Sequence, residues 1–167
     1  MKEIVAVLVN IRSAWNVGSM FRTADAMGVS KLYLVGYTPT PLDPAGGYRR
    51  DVAKVALGAE TWMPWEKTAK PGLLLARLKK EGYRICAVEL SPRAVPLGRV
   101  KVKRSERIAL IMGNEVKGLS PAVLRRADTI IEIPMRGKKE SLNVAVAFGV
   151  AAYRFAEQKR SGRGRSV

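Results

Sequence analysis

The chain has 167 residues, of which 30 are Lys or Arg and 14 are Asp or Glu, so its formal net charge is +16. This charge favours a polyanionic partner, and RNA or DNA is favoured over a membrane. The alternative is that the basic residues simply solvate the surface. The absence of histidine excludes Ser-His-Asp hydrolysis and histidine-ligated zinc. A single cysteine, Cys86, excludes a disulfide framework, and no apolar run reaches the roughly 18–20 residues of a membrane span. We therefore expect a cytoplasmic protein with no membrane segment and no metal site.

Short β-rich runs alternate with helical patterns along the chain. Residues 4–9 and 31–35 predict two strands, and residues 15–27 between them predict a helix that ends near Gly28. Residues 36–50 carry turn signals and basic side chains, which predicts an exposed loop near the substrate. The remaining predicted elements are, in chain order, a helix at 51–57, a strand near 61–63, a helix at 73–81, strands at 84–89 and 108–112, a helix at 121–127, a strand at 129–133 and a helix at 142–158.

This alternation is typical of an α/β domain with a mostly parallel sheet and helices on both faces. The final predicted helix, residues 142–158, is apolar on most of its surface and therefore needs cover from its own sheet or from a second subunit. We expect one folding unit over residues 1–158, followed by a basic tail at 159–167 that is disordered until it meets RNA.

The first segment that carries chemistry, residues 10–25, leaves a strand and enters a helix, which is where open α/β sheets place their ligands. Within it, Asn16, Ser19 and Arg22 are spaced three apart, so they share roughly one helix face. A purely structural alternative is that Asn16 caps the helix and Arg22 pairs with Asp25 on the surface.

Two further segments have the same strand-to-loop character. In residues 109–119, Gly113 permits a ligand to approach the backbone closely. The segment is not a phosphate-binding loop, because its glutamate would repel a phosphate. In residues 131–143, Ser141 is a candidate helix cap with Asn143 in the first turn. All asparagines of the chain fall in these three segments, at positions 10, 16, 114 and 143. That restriction indicates sites where a neutral donor and acceptor is required.

Taken in order, Asn10-x-Arg12 with Asn16-x-Gly18-x-x-x-Arg22, then Gly113-Asn114-Glu115-x-x-Gly118, then Ile133-Pro134-Met135 with Ser141-Leu142-Asn143, resemble the three motifs of the TrmH-like branch of the SPOUT RNA methyltransferases. The resemblance covers residues 4–155. It implies methyl transfer from S-adenosylmethionine to a ribose 2′-hydroxyl of structured RNA, a deep trefoil knot in the C-terminal half, and a homodimer whose interface adjoins the cofactor.

The resemblance also implies which residues form the site. The catalytic group would be Asn16, Arg22, Glu115, Ser141 and Asn143. The cofactor would be held, mainly by backbone, at Val88, Glu89, Leu90, Gly113, Asn114, Ile133, Met135, Ser141 and Leu142. Basic residues in the adjoining loops are the expected RNA contacts, namely Arg12, Arg49, Arg50, Arg136 and Lys138.

Methyl transfer to a hydroxyl requires removal of its proton, and the candidate acceptors are Arg22, Glu115 and water. Our hypothesis is that Arg22 grips a phosphate and stabilises alkoxide charge, while Glu115 orients Arg22 or a water. Asn16, Ser141 and Asn143 would then fix the ribose and the cofactor. The alternatives are a non-catalytic RNA-binding or ribosome-associated protein and, less favoured, an enzyme that methylates a base nitrogen. Among RNA substrates, tRNA is favoured over rRNA.

Overall fold

The structure, a computed structural model, describes residues 3–103 and 105–157. Its described elements are, in chain order, β1 (Glu3–Val9), α1 (Ala14–Met27), β2 (Lys31–Val35), α2 (Arg50–Ala56), α3 (Ala59–Trp62), β3 (Trp65–Thr68), α4 (Pro71–Lys80), β4 (Tyr83–Val88), β5 (Val95–Pro96), a 3₁₀ turn (Leu97–Arg99), β6 (Arg107–Met112), α5 (Pro121–Leu124), β7 (Thr129–Glu132) and α6 (Val144–Glu157).

The strands form one sheet in the order β3-β2-β1-β6-β4-β7-β5, and every described pair in it is parallel. Strand β1 leads through α1 to β2 on one side, whereas its neighbour β6 leads through α5 to β7 on the other. The chain therefore diverges at the adjacent carboxyl ends of β1 and β6. Parallel sheets bind ligands at such a switch point, because the loops on either side leave a crevice.

Alternation along β1 divides the core into two layers. Ile4, Ala6 and Leu8 pack with side chains of α1, α2 and α6, among them the fully buried Phe21 and Phe148. The intervening valines of β1 face the opposite layer, where the leucines of α4 and Val123 of α5 cover the sheet. Because successive strand residues point to opposite faces, one apolar strand supplies both layers. The predicted α/β fold with helices on both faces is confirmed.

Several predicted boundaries differ from the structure, among them the helix predicted at 121–127, which ends at Leu124, and two of the differences have a clear local cause. Residues 61–63 were expected in a strand, but Ala59–Trp62 form α3, which starts after Gly58 in a left-handed conformation (φ 98°), and the strand begins at Trp65. The last helix starts at Val144 rather than at residue 142, because Asn143 accepts a hydrogen bond from the Ala145 amide at 2.9 Å and caps it. The predicted unit 1–158 and tail 159–167 extend beyond the described residues, and the knot stays a prediction.

No helix among the described residues has the length and hydropathy needed to cross a bilayer. Helix α6, predicted to need cover on several sides, buries Phe148, Ala151 and Phe155 against the sheet and α1. Val146, Val150 and Tyr153 remain exposed on the same helix. The spacing of these three residues places them on one face, so the described chain leaves an apolar stripe of α6 open.

Candidate active site

A cavity of about 540 Å³ opens at the carboxyl ends of β4, β6 and β7 and extends to the start of α6. Three strand ends and the loop after β7 therefore contribute to one wall. All nine residues that the resemblance implied for cofactor binding line it: Val88, Glu89, Leu90, Gly113, Asn114, Ile133, Met135, Ser141 and Leu142. Of the implied catalytic group, Glu115, Ser141 and Asn143 also lie in its wall.

Glu115 joins the loop after β6 to the loop after β1. One carboxylate oxygen accepts a hydrogen bond from the Arg12 amide at 2.9 Å, and the other accepts from the Ser13 amide at 3.1 Å and from Nδ2 of Asn16 at 2.9 Å. Burial alone would raise the pKa of Glu115, but these three bonds, together with its own backbone amide, outweigh it and hold the pKa below the usual glutamate value. The side chain is therefore an anion that fixes the two loops to each other.

Asn16 links this carboxylate to the third segment. Its Oδ1 accepts a hydrogen bond from Nδ2 of Asn143 at 3.2 Å, while its own Nδ2 donates to Glu115. Asn16 is not the helix cap, since Ser13 accepts from the Asn16 amide and caps α1. The chain Glu115–Asn16–Asn143 thus brings one residue from each predicted segment into direct contact.

Asn114 organises the inside of the loop. Its Nδ2 donates to the Asn10 carbonyl and to the Tyr37 hydroxyl, each at 2.9 Å, and its Oδ1 accepts from the amides of Val116 and Lys117 at 2.9 and 2.7 Å. These bonds use both protons and both lone pairs of the carboxamide. Asn114 therefore shapes the cavity wall, and only its backbone remains available to a ligand there.

The other side of the loop is held by Glu89. Its Oε2 accepts from the Leu119 amide at 2.7 Å, and its Oε1 accepts from the Leu90 amide at 2.9 Å. The loop is so tightly closed that a Cβ on Gly113 would lie 2.7 Å from the carbonyl carbon of Gly118 and 2.8 Å from the Leu119 amide nitrogen. The close approach predicted for Gly113 is made by the chain's own backbone.

The comparisons with known proteins decide the family. A model of the SpoU rRNA Methylase family matches residues 3–153. The chain belongs to this SpoU methylase family. A tRNA (guanosine(18)-2'-O)-methyltransferase from Aquifex aeolicus is 33% identical over 98% of this chain and 72% of that protein. One of the same name from Escherichia coli is 30% identical over 95% of this chain and 65% of that protein.

Solved structures agree with this SpoU fold. An AdoMet-bound rRNA methyltransferase from Sinorhizobium meliloti superimposes with a TM-score of 0.82 and 29% identity, over 93% of this chain and 56% of that one. The A. aeolicus TrmH/SpoU tRNA modifying enzyme gives a TM-score of 0.81 and 30% identity, over 95% and 76%. The chain therefore spans between about half and three quarters of these relatives.

One implied catalytic residue of this SpoU protein lies apart from the others. Arg22 is exposed on α1, about 9 Å along the helix axis from Asn16, and forms no hydrogen bond or ion pair with the described residues. Among the described residues Glu115 is bonded to Asn16 and two backbone amides and not to Arg22, so the hypothesis that Glu115 orients Arg22 or a water stays a prediction. The alternative pairing with Asp25 is also absent, since Asp25 accepts a hydrogen bond from Trp62.

The predicted RNA-binding residues differ in whether their side chains are available to bind a phosphate. Arg12 and Arg50 are exposed, as are Arg136 and Lys138 in the loop after β7. Arg49 instead forms a two-point ion pair with Asp51, with its closest contact at 2.6 Å. Arg49 therefore fixes the start of α2 and is the least available of the five to a phosphate.

Sequence reasoning missed two residues of this site. Tyr37 accepts the hydrogen bond from Asn114, and Thr38 is buried with its hydroxyl between the Leu8 and Val35 carbonyls and the Ile11 amide. Both lie in the predicted loop 36–50, where turn signals indicated exposure but no periodicity singled out one residue. The only available signal was an aromatic residue, Tyr37, two positions after the end of a predicted strand.

Proposed function

We propose that this protein transfers a methyl group from S-adenosylmethionine to a ribose 2′-hydroxyl of RNA, with tRNA as the favoured substrate. The observation that carries the proposal is the contact of Glu115, Asn16 and Asn143 beside a cavity lined by all nine implied cofactor residues. Relatives named as tRNA 2'-O-methyltransferases and the net charge of +16 support an RNA substrate.

The cavity fits this cofactor in size and in charge. Its volume lies within the roughly 300–1,000 Å³ of small-molecule sites. Among its described lining residues the charged side chains are all glutamates, at positions 89, 115, 132 and 140, although the protein as a whole is strongly basic. S-adenosylmethionine carries a sulfonium and an ammonium cation, and apolar residues such as Leu90 and Ile133 suit its adenine ring. An RNA strand, by contrast, is repelled from this wall and attracted to the surrounding surface.

When bound there, S-adenosylmethionine supplies the activated methyl group. Asn16 keeps one Nδ2 proton beyond its bond to Glu115, and Asn143 keeps one beyond its bond to Asn16; we assign these two protons to the ribose hydroxyls. Glu115 is already an acceptor of three hydrogen bonds with a lowered pKa, so it is a weak base. We therefore assign Glu115 to ordering the site. The hydroxyl proton passes to water while the cation of Arg22 stabilises the oxygen's developing charge.

We also propose that the protein acts as a cytoplasmic homodimer. The support is the apolar stripe of α6, formed by Val146, Val150 and Tyr153, because exposed apolar patches rimmed by polar residues mark protein interfaces. Helix α6 begins at Val144, directly after Asn143 of the cavity wall, so a second copy on this stripe would lie beside the cavity. Sedimentation equilibrium tests this: a monomer at micromolar concentration would contradict it, and Val150→Glu should weaken a dimer.

The activity is tested first by calorimetry with S-adenosylmethionine and then by incubating the protein with tRNA and rRNA transcripts. Mass spectrometry of the digested RNA should show a 2′-O-methylated nucleoside. Cofactor binding with methylation of a base nitrogen would contradict the ribose assignment. RNA binding without any cofactor binding would favour the rival, a non-catalytic RNA-binding or ribosome-associated protein.

A further inference from the structure

A second cleft, of about 500 Å³, lies beside the cofactor cavity and is called here the Tyr37 cleft. Its walls are Arg12, Tyr37, Asn114, Val116 and Lys117. Asn114 and Val116 also line the first cavity, so the loop after β6 separates two adjoining spaces. We propose that the Tyr37 cleft binds a nucleotide of the RNA next to the one that is methylated, with its base stacked on Tyr37 and its phosphates held by Arg12 and Lys117. This inference rests on the proposed function.

The ring of Tyr37 is exposed but held in place. The residue is 57% exposed, yet its hydroxyl accepts a hydrogen bond from Asn114 at 2.9 Å and its amide donates to Oδ1 of Asn10 at 3.2 Å. Gly36 before it has φ 65°, and a side chain there would collide with the Asn10 carboxamide. These two hydrogen bonds hold an exposed aromatic ring in one position, so a ligand can stack on it without first ordering the side chain. Unpaired RNA bases are bound in this way, by stacking on aromatic side chains.

The charges of the cleft complete the site for a nucleotide. The Arg12 guanidinium and the Lys117 ammonium form no ion pair with the described residues, although the backbone amides of both are bonded at the site. No Asp or Glu lines the cleft among the described residues, whereas the cofactor cavity contains four glutamates. Val116, 76% exposed, adds apolar surface. The two adjoining spaces therefore differ in charge: the acidic one suits the cationic cofactor, and the basic one suits phosphate.

The position of the cleft defines which nucleotide it takes. Under the proposed function, the reacting ribose lies near Asn16 and the cofactor cavity, a space that adjoins the Tyr37 cleft but is distinct from it. A base in the Tyr37 cleft therefore belongs to a neighbouring nucleotide. Two neighbouring nucleotides that enter two separate spaces cannot remain stacked in a double helix. We therefore infer that the protein binds its target nucleotide in an unpaired stretch of RNA.

The experiment compares Tyr37→Leu, Tyr37→Phe and the control Tyr48→Leu, which removes a tyrosine of similar exposure (51%) outside the cleft. A single-stranded RNA oligonucleotide carrying 2-aminopurine is titrated onto each protein. The wild type and Tyr37→Phe should quench the fluorescent base, because both have the ring. Tyr37→Leu should lose the quench and bind about 5- to 140-fold more weakly, while Tyr48→Leu behaves as wild type.

Two results would overturn the inference. One is RNA binding by Tyr37→Leu that equals the wild type. The other is equal loss in the Phe and Leu variants, which would show that the Asn114 bond, a structural contact, is what matters. In a salt series, Lys117→Ala should reduce the slope of log affinity against log salt by roughly 0.7, whereas Lys54→Ala, outside the cleft, should not. Binding of S-adenosylmethionine by calorimetry is read separately, so failure of the methyl-transfer proposal is distinguishable from failure of this one.

Discussion

The side chain of Asn16 donates a hydrogen bond to Glu115 across 2.9 Å, although the two residues lie 99 positions apart in the chain. The contact is possible because β1 and β6 are neighbours in the sheet and their carboxyl ends open in the same direction. With Arg12 and Ser13 also donating to Glu115, one carboxylate holds the first motif on the second. The relative position of these two loops therefore depends on this anion.

We therefore expect Glu115→Gln to loosen the site even though the two side chains have the same shape. An amide presents an NH₂ group where the carboxylate accepts bonds from the Arg12 and Ser13 amides, so at least one donor faces another donor. Methyl transfer should fall at least tenfold, and the melting temperature should decrease. For the melting temperature the matched control is Glu140→Gln, because this glutamate also lines the cavity but makes no hydrogen bond with the described residues. Equal activity of Glu115→Gln and wild type would contradict the role of Glu115 in holding the two loops together.

The same carboxylate should make stability depend on pH in a defined direction. The pKa of Glu115 is lowered in the folded chain, so its stabilisation is complete above the unfolded pKa of about 4.3 and is lost as the pH falls through the folded pKa. The difference in melting temperature between the wild type and Glu115→Gln should thus be constant near neutrality and shrink in acid. Calorimetric melts at pH 7, 5, 4 and 3 check this, and a difference that grows in acid would contradict it.

Gly113→Ala should disrupt the loop itself. The added Cβ would lie 2.7 and 2.8 Å from backbone atoms of Gly118 and Leu119, and backbone cannot move aside as a flexible side chain can. Overpacking of this kind costs about 1–3 kcal/mol of unfolding free energy. Gly98→Ala is the control, because its Cβ would meet nothing within 4 Å. Denaturant unfolding of both variants, with calorimetry of S-adenosylmethionine, should show loss in the first only.

The sequence motifs fall on one wall of the cavity because a parallel sheet collects the ends of its strands at one edge. Gly113 and Ile133 follow buried strands, and strand order alone brings them together. The prediction was weaker where helix rotation matters. Residues spaced three apart turn by about 300°, so the direction drifts by roughly 60° at each step and Arg22 ends well away from Asn16. Tyr37 was missed because its position depends on hydrogen bonds to distant residues.

The errors in the predicted boundaries of α3 and α6 also had local causes. The segment around Thr61 and Trp62 has β-forming side chains, but Gly58 and the bond from its amide to Glu60 start a helical turn there. The start of α6 was placed too early because both Ser141 and Asn143 are good caps, and only the bonds from the Ala145 and Val146 amides identify Asn143 as the one used.

Thr38→Val should destabilise the fold by about 1–3 kcal/mol without altering its shape. The buried hydroxyl lies 3.0 Å from the Ile11 amide and 2.8 Å from the carbonyls of Leu8 and Val35, so its loss leaves buried backbone groups unsatisfied where β1 and β2 end. Thr68→Val, at the end of β3 and with no side-chain hydrogen bond among the described residues, is the control. Urea unfolding measures both, and equal stability would show that the hydroxyl bridge contributes nothing.

Substitution of Arg22 tests a catalytic role separately from a role in folding. It is exposed on α1 and makes no hydrogen bond or ion pair with the described residues, so its replacement should leave folding and cofactor affinity almost unchanged. If it grips a phosphate and stabilises charge on the ribose oxygen, Arg22→Ala should reduce kcat by about 10²-fold. Arg22→Lys should recover only part of the rate, because an ammonium lacks the two-point fork of the guanidinium. Single-turnover methylation across pH 6–9, with S-adenosylmethionine affinity measured separately, checks this, and full activity of Arg22→Lys would remove Arg22 from the mechanism.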